Sequence, residues 1–367
     1  SAADYRLEWL AKRILVRGQP CIIGGPRKSL KTSLLIELAI SLGNGQRFLS
    51  EFFVPNAVNV GLLSGESGAA TIQETARRVC LSKGLTLSQS RVWWGFALPQ
   101  LSRLDHLDAV AAAIEANKLD VLILDPAYLC LLTGNTEAQA SNLFDMGGVL
   151  ANVARIGQAT GCTTVMAHHF TKLTSYDPPE LEQLAFSGFQ EFARQWVLIG
   201  RREAYEPGTG LHKLWLNVGG SVGFGGLWSV DVNEGTIDDD FRGRTWEVSV
   251  GTAAQARAEA HEQAAEQKEQ AKQSKRQAAA QIDREKVLKA FGRFPDGETK
   301  TAIRDTAGVE SKRFAPILAD LLEEKIVQPC VITKGNKQTY EGFRLTRIDP
   351  DTPGLSDSSD CRSHSPG

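Results

Sequence analysis

The 367-residue sequence has no apolar run approaching the roughly 20 residues that a membrane-spanning helix requires. It has no large excess of either charge, with 41 Lys+Arg against 43 Asp+Glu and a formal charge of -2. A uniformly basic coat is thereby excluded, so any nucleic-acid contact has to come from local loops or one small module. The six cysteines, Cys21, Cys80, Cys130, Cys162, Cys330 and Cys361, stand far apart, and none has a neighbour at the short spacing of a zinc or iron–sulfur site. Cys21, Cys130 and Cys162 lie in apolar segments and are expected to be buried thiols in a reducing, cytoplasmic setting. The opening Ser1-Ala2-Ala3-Asp4 has no basic stretch followed by an apolar one, so no signal peptide is expected. It also lacks a methionine, which leaves room for an upstream domain of a longer protein. What is present is a globular composition, 42% hydrophobic and 23% charged, and enough chain for two or three domains.

Residues 1–251 alternate short apolar runs with helical patterns. Strands are expected at 21–23, 58–63, 92–94, 121–124, 163–167, 196–199, 213–218, 227–230 and 245–250, and helices at 32–42, 70–82, 105–117 and 138–158. Buried strands followed by helices of that length give an α/β domain, a mostly parallel sheet covered on both faces. The last strands have no long helices between them and are expected to form an antiparallel C-terminal edge, with glycine turns within 219–226. Residues 252–281, rich in Ala, Gln, Glu, Lys and Arg, favour helix but offer no apolar stripe, as in an exposed or partly disordered linker. A core pattern returns in 282–348, where three short helices followed by a two-stranded hairpin describe a small winged-helix domain. The tail, 349–367, is rich in Ser, Asp, Pro and Gly and is expected to be disordered.

The most informative stretch is Gly25-Pro26-Arg27-Lys28-Ser29-Leu30-Lys31-Thr32-Ser33, an apolar strand running into a tight loop and then a helix. Consecutive backbone N–H groups and a helix N-terminus cradle phosphates, a lysine reaches the β and γ phosphates, and a hydroxyl ligates magnesium. Lys31 and Thr32 suit those last two roles, and Arg27 and Lys28 add charge, either toward phosphate or toward solvent. Leu30 stands where the motif has its second glycine; a leucine is expected to keep a negative φ there, because φ > 0 strains a side chain with a Cβ. A plain glycine turn before a helix would look similar. A second signature, the apolar strand 121–124 ending in Asp125, supplies a carboxylate placed to support magnesium, and the pair points to a nucleoside-triphosphatase.

Glu66, after another apolar strand, is either a general base for attacking water or a cap on the helix starting near Ala69. His168 and His169 are adjacent on a strand and point to opposite sides, so they are not expected to chelate one metal. His169, the more terminal, is the one assigned to the γ phosphate, against a purely structural role.

In this order and spacing, residues 15–250 resemble the RecA-like P-loop ATPases of the AAA family, in particular the branch of the hexameric helicases RepA and DnaB. The resemblance implies ATP and Mg²⁺ as ligands, Glu66 as catalytic base, Asp125 as magnesium support, and Ala167-His168-His169-Phe170-Thr171-Lys172 as a strand-to-loop sensor. It also implies that Arg194, following Phe186-Ser187-Gly188 and Phe192-Ala193, reaches a neighbouring subunit's nucleotide, with Arg201 or Arg202 as substitutes; a surface salt bridge is the other reading. Such an arginine requires a homo-oligomeric ring, a hexamer in this branch, or a filament. The chain departs from the branch at Leu30 and at Asn217-Val218-Gly219-Gly220, where DnaB-type helicases carry Lys-x-Arg.

In such rings the loops at 129–137 and 170–184 line the channel, and Lys172 and Tyr176 are the residues suited to single-stranded DNA, although Asp177, Glu180 and Glu182 share the second loop. Residues 282–348 hold thirteen Lys/Arg against ten Asp/Glu. Lys312 and Arg313 at the start of the third core helix, which begins near Glu310, with Lys334 and Lys337 in the wing, suit either duplex DNA or a protein partner. The function expected is an ATP-driven helicase moving on single-stranded DNA; the alternatives are a RecA- or KaiC-like ATPase without unwinding, or a nucleotide-ordered DNA-binding scaffold.

Overall fold

The computed structural model describes residues 6–131, 143–171, 175–186, 188–239, 242–335 and 337–346. The expected tail at 349–367 and most of the first expected channel loop lie outside them. The chain forms two compact units, Ser1–Glu259 and Ala260–Gly367.

In the first unit a small antiparallel hairpin, β1 (Trp9–Ala11) and β2 (Leu15–Val16), precedes the main sheet. The chain then runs through β3 (Cys21–Gly25), α1 (Lys31–Asn44), β4 (Val60–Ser64), α2 (Ala69–Ser82), β5 (Val92–Gly95), α3 (Leu104–Asn117), β6 (Val121–Asp125), α4 (Tyr128–Leu131), α5 (Leu143–Thr160), β7 (Thr163–His169), α6 (Phe189–Phe192) and β8 (Gln195–Arg201). It closes with β9 (Leu211–Gly220), β10 (Gly225–Gly235) and β11 (Arg244–Thr252). The nine strands lie in the order β5-β4-β6-β7-β3-β8-β9-β10-β11; β5 through β8 are parallel, and β8 through β11 pair antiparallel.

Alternation along the strands divides the core between the two faces. Cys21, Ile23, Val121, Ile123, Val165 and Ala167 pack with Leu35 and Leu38 of α1 and Ile72 and Val79 of α2. Ile22, Leu122, Leu124 and Met166 pack with Val110 and Ile114 of α3 and Leu150 and Val153 of α5. At the antiparallel edge α2 is clasped by charge: Arg78 donates to Glu234 Oε1 at 3.0 Å, and His212 Nε2 lies 3.1 Å from Glu234 Oε2. Burial alone raises the Glu234 carboxyl, but those bonds and the charges of Arg244 and Arg78 outweigh it and hold the group at about 2.

The glycines expected to turn the chain at 219–226 mostly do something else. Gly219, Gly220, Gly225 and Gly226 lie inside β9 and β10, and the connection is Ser221-Val222-Gly223-Phe224, with Gly223 at φ 78°. Gly219 and Gly226 are glycine for space: a Cβ would sit 2.3 Å from the Trp196 ring and 2.2 Å from the Trp228 ring, respectively.

The second unit includes most of α7 (Ala253–Phe291), with α8 (Lys300–Ala307), α9 (Ser311–Glu323) and the antiparallel hairpin of β12 (Val327–Thr333) and β13 (Thr339–Leu345). Its core is Val287, Phe291, Ile303, Phe314, Leu318, Leu321 and Val327. The expected linker and the first expected core helix are one continuous element, α7, whose residues 257–282 are all exposed. Among the described residues no helix is long and apolar enough to cross a membrane.

Candidate nucleotide site

Parallel strands end on one edge, so this topology brings the loops after β3, β4, β6, β7 and β8 together, as open α/β sheets do at ligand sites. The loop after β3 is held from within: Ser29 Oγ donates to Pro26 O at 2.8 Å, and Lys31 Nζ donates to Gly25 O at 3.0 Å and Pro26 O at 2.6 Å. Gly25 must lack a side chain, because a Cβ would meet Ile199 O and Ser29 Oγ, each at 2.8 Å. Burial lowers Lys31 to about 8, partly offset by the charges of Asp125 and Glu66.

Leu30 corrects the sequence reading. It is left-handed, at φ 61° and ψ 19°, the conformation a glycine would take, and it caps α1 without a side-chain bond. Its side chain packs, partly buried, against the core beneath α1 and so offsets a backbone cost of about 1–2 kcal/mol. Leu30→Ala loses the packing and keeps the strain, whereas Leu30→Gly loses both. Urea unfolding should therefore find the glycine variant more stable than the alanine variant by about 1 kcal/mol, the reverse of the order inside a helix.

Thr32 Oγ1 donates to Asp125 Oδ2 at 2.7 Å, joining residues 93 positions apart. Asp125 is 3% exposed; burial raises its carboxyl, against the Thr32 hydrogen bond and the Lys31 charge. Residues 28–33 line a cavity of about 360 Å³ with Glu66, Asp125, His169, Arg201, Tyr205 and His212, within the roughly 300–1,000 Å³ of ordinary ligand pockets. A groove of about 280 Å³ beside α3 is lined almost wholly by apolar side chains and offers phosphate nothing. The oxygens of Thr32 and Asp125 fit a hard cation such as Mg²⁺, which binds through one or two protein oxygens plus substrate phosphates.

Glu66 lies on the exposed bend after β4. It does not cap α2, whose N-cap is Gly68 with no side-chain bond; instead it accepts from Tyr128 Oη at 2.8 Å. The two histidines part as alternation requires. His168 is 1% exposed, stacks on Phe189 at 3.9 Å, and has Nε2 2.8 Å from Ala185 O. His169 faces the cavity beside Tyr128, with a ring distance of 5.6 Å, and burial followed by the Lys31 charge lowers it.

Burial lowers His168 to about 4 from 6.5. The unfolded chain therefore takes up a proton that the native one refuses as pH falls from 6.5 to 4, and stability is lost across that window. At its lower end the loss is about 3 kcal/mol. Denaturant melts at stepped pH should show this slope, and His168→Gln should flatten it.

Arg194 is exposed at the start of β8, next to Gln195, which pairs with Cys21 at the opposite sheet edge from Thr32. It forms no ion pair among the described residues, so the salt-bridge reading finds no support there. Arg202 is tied to Asp231 and lies over Trp215. Arg201 belongs to the cavity of its own chain, donating to Lys28 O beside Tyr205. The pattern already used for Asp125, an apolar strand ending in a charged residue, would have found Arg201; nothing local would have found Tyr128, Tyr205 or His212. Arg27 and Lys28 are both exposed.

Lys172 lies outside the described residues. Tyr176 is 51% exposed. In the second unit Lys312 and Lys337 are exposed, but Arg313 donates to buried Asp283 at 2.7 Å and Lys334 pairs with Glu298 at 3.3 Å. Those last two cations are also exposed, but each has an acidic partner within its own unit.

A strand-to-helix loop with its lysine, a hydroxyl joined to a strand-end carboxylate, and a water-accessible glutamate are the groups that a P-loop nucleoside-triphosphatase site requires. Residues 1–175, a little under half of the chain, match the family model of the AAA domain and carry all of these groups. The match supports an ATPase of the AAA/P-loop kind, with the nucleotide binding that family implies. No curated protein matches the chain.

Proposed function

We propose that the protein is a nucleic-acid-dependent ATPase of the RepA-like hexameric helicase type, coupling ATP hydrolysis to movement along single-stranded DNA. The observation that carries the ATPase reading is the Thr32–Asp125 hydrogen bond within reach of Lys31 and Glu66 in one cavity. Lys31 exchanges its two loop carbonyls for phosphate oxygens, Thr32 and Asp125 hold Mg²⁺, Glu66 orients and deprotonates water, and His169 registers the γ phosphate. Magnesium, when bound, neutralises developing phosphate charge; placement and electrostatics supply most of the barrier reduction. Glu66, Asp125 and His169 lie on the β4–β6–β7 side of the loop, which leaves Arg201, Tyr205 and His212 for the ribose and base.

Arg194, on the far edge from its own loop, suits a role only toward a neighbouring copy, hence a ring or filament. Movement on DNA draws on the resemblance to RepA and DnaB, on exposed Tyr176, and on Lys312 and Lys337 for a duplex or protein contact. A second reading, a RecA- or KaiC-like assembly switch without unwinding, is favoured by the internal pairing of Arg313 and Lys334 and by Asp177, Glu180 and Glu182 near Tyr176.

The test is ATP turnover with and without single-stranded DNA, strand displacement, and native mass with a non-hydrolysable ATP analogue. DNA-stimulated turnover, displacement and an oligomer support the motor. Turnover and assembly without displacement support the switch. Absence of magnesium-dependent ATP binding overturns both.

A further inference from the structure

Glu66 carries the water-activating role in the ATPase reading, yet its side chain stands on an exposed bend where a free glutamate samples many rotamers. Among the described residues its one side-chain hydrogen bond comes from Tyr128, at 2.8 Å. Tyr128 is not an incidental neighbour. It opens α4 three residues after Asp125, in a segment pinned to β7 by Ala127 N donating to Ala167 O at 2.8 Å. Its ring also lies 5.6 Å from that of His169. One residue thus touches both the base candidate and the γ-phosphate candidate, from the chain segment that carries the magnesium carboxylate. These groups line a second cavity of about 580 Å³, with Arg27 and Lys28, that shares Lys28, Glu66 and His169 with the first.

We propose that Tyr128 is a positioning residue for hydrolysis, whose hydroxyl fixes one oxygen of Glu66 and leaves the other free to take the proton of the attacking water. A carboxylate has about four lone-pair sites, so one bond from a phenol orients the group without consuming it. Hydrogen bonding to Glu66 and burial both keep the phenol protonated, as a donor must be. The role follows from fixed placement: general-base work needs the acceptor within about 3 Å of the water, and misplacement lowers rate without weakening nucleotide binding.

This inference rests on the ATPase reading, and the test separates the two. In the full chain, Tyr128→Phe keeps the ring against His169 and removes the hydroxyl. Turnover at saturating MgATP should fall about tenfold, equivalent to about 1.4 kcal/mol, while the Kd for a non-hydrolysable ATP analogue stays within about twofold. Glu66→Asp shortens the base beyond the reach of the phenol, so adding Tyr128→Phe to it should cost nothing further. Unchanged turnover in Tyr128→Phe, an equal loss of analogue affinity, or additive losses in the double variant each overturn the positioning role while the ATPase reading stands. A wild-type chain with no MgATP turnover, either with or without single-stranded DNA, overturns both at once, before any variant is made.

Discussion

Glu66→Gln is expected to bind MgATP within about threefold of the wild type and to turn it over 10²–10⁴-fold more slowly, the range a positioned general base contributes. Glutamine keeps the shape and still accepts the Tyr128 hydroxyl, so the substitution removes the proton acceptor and little else. Among the described residues Glu66 makes no hydrogen bond or ion pair to the loop at 25–32, and Gly68 rather than Glu66 caps α2, so loss of the charge is not expected to unfold the site. Isothermal titration with MgATP and single-turnover hydrolysis check the two halves separately. Normal turnover would remove the base assignment; a parallel loss of binding would make Glu66 a structural residue.

Lys31→Ala should weaken ATP binding by about two orders of magnitude, as loss of charge-assisted bonds to two phosphates implies, and abolish measurable hydrolysis. The lysine is already buried against Gly25 O and Pro26 O, so the site contains its charge before any ligand arrives. Burial has brought Lys31 down to about 8, with a pH consequence of definite sign. Below pH 8 the free site carries the proton that phosphate requires; above it, binding must take one up, and ATP affinity should fall roughly tenfold per pH unit. Titrations between pH 7 and 9.5 should show this limb in the wild type and lose it in Lys31→Ala. An alkaline limb that survives the substitution would assign the titration to another group.

The parts of the site legible in the sequence were those fixed by strand ends. Gly25, Glu66, Asp125 and His169 each follow an apolar run, and all end at one edge because the strands are parallel. Leu30 was misread because its conformation is paid for by packing beneath α1, a contact with residues the local motif does not contain. Arg201 was set aside as a substitute for Arg194, yet strand polarity puts Arg201 at the phosphate loop and Arg194 at the other end of the same strand. Arg313 read as free charge on a helix start; only the folded unit shows it against buried Asp283.

Apolar periodicity and loop chemistry are local properties, and they alone determined an alternating β/α chain with a Gly-to-Lys-Thr loop before a helix, a strand-end acid and a polar segment without an apolar stripe after residue 252. Strand order, the Tyr128–Glu66 bond, the left-handed Leu30 and the pairing of individual cations were decided by the tertiary structure. Each depends on which distant side chains compete for the same buried space or the same proton, and no window along the chain contains both competitors.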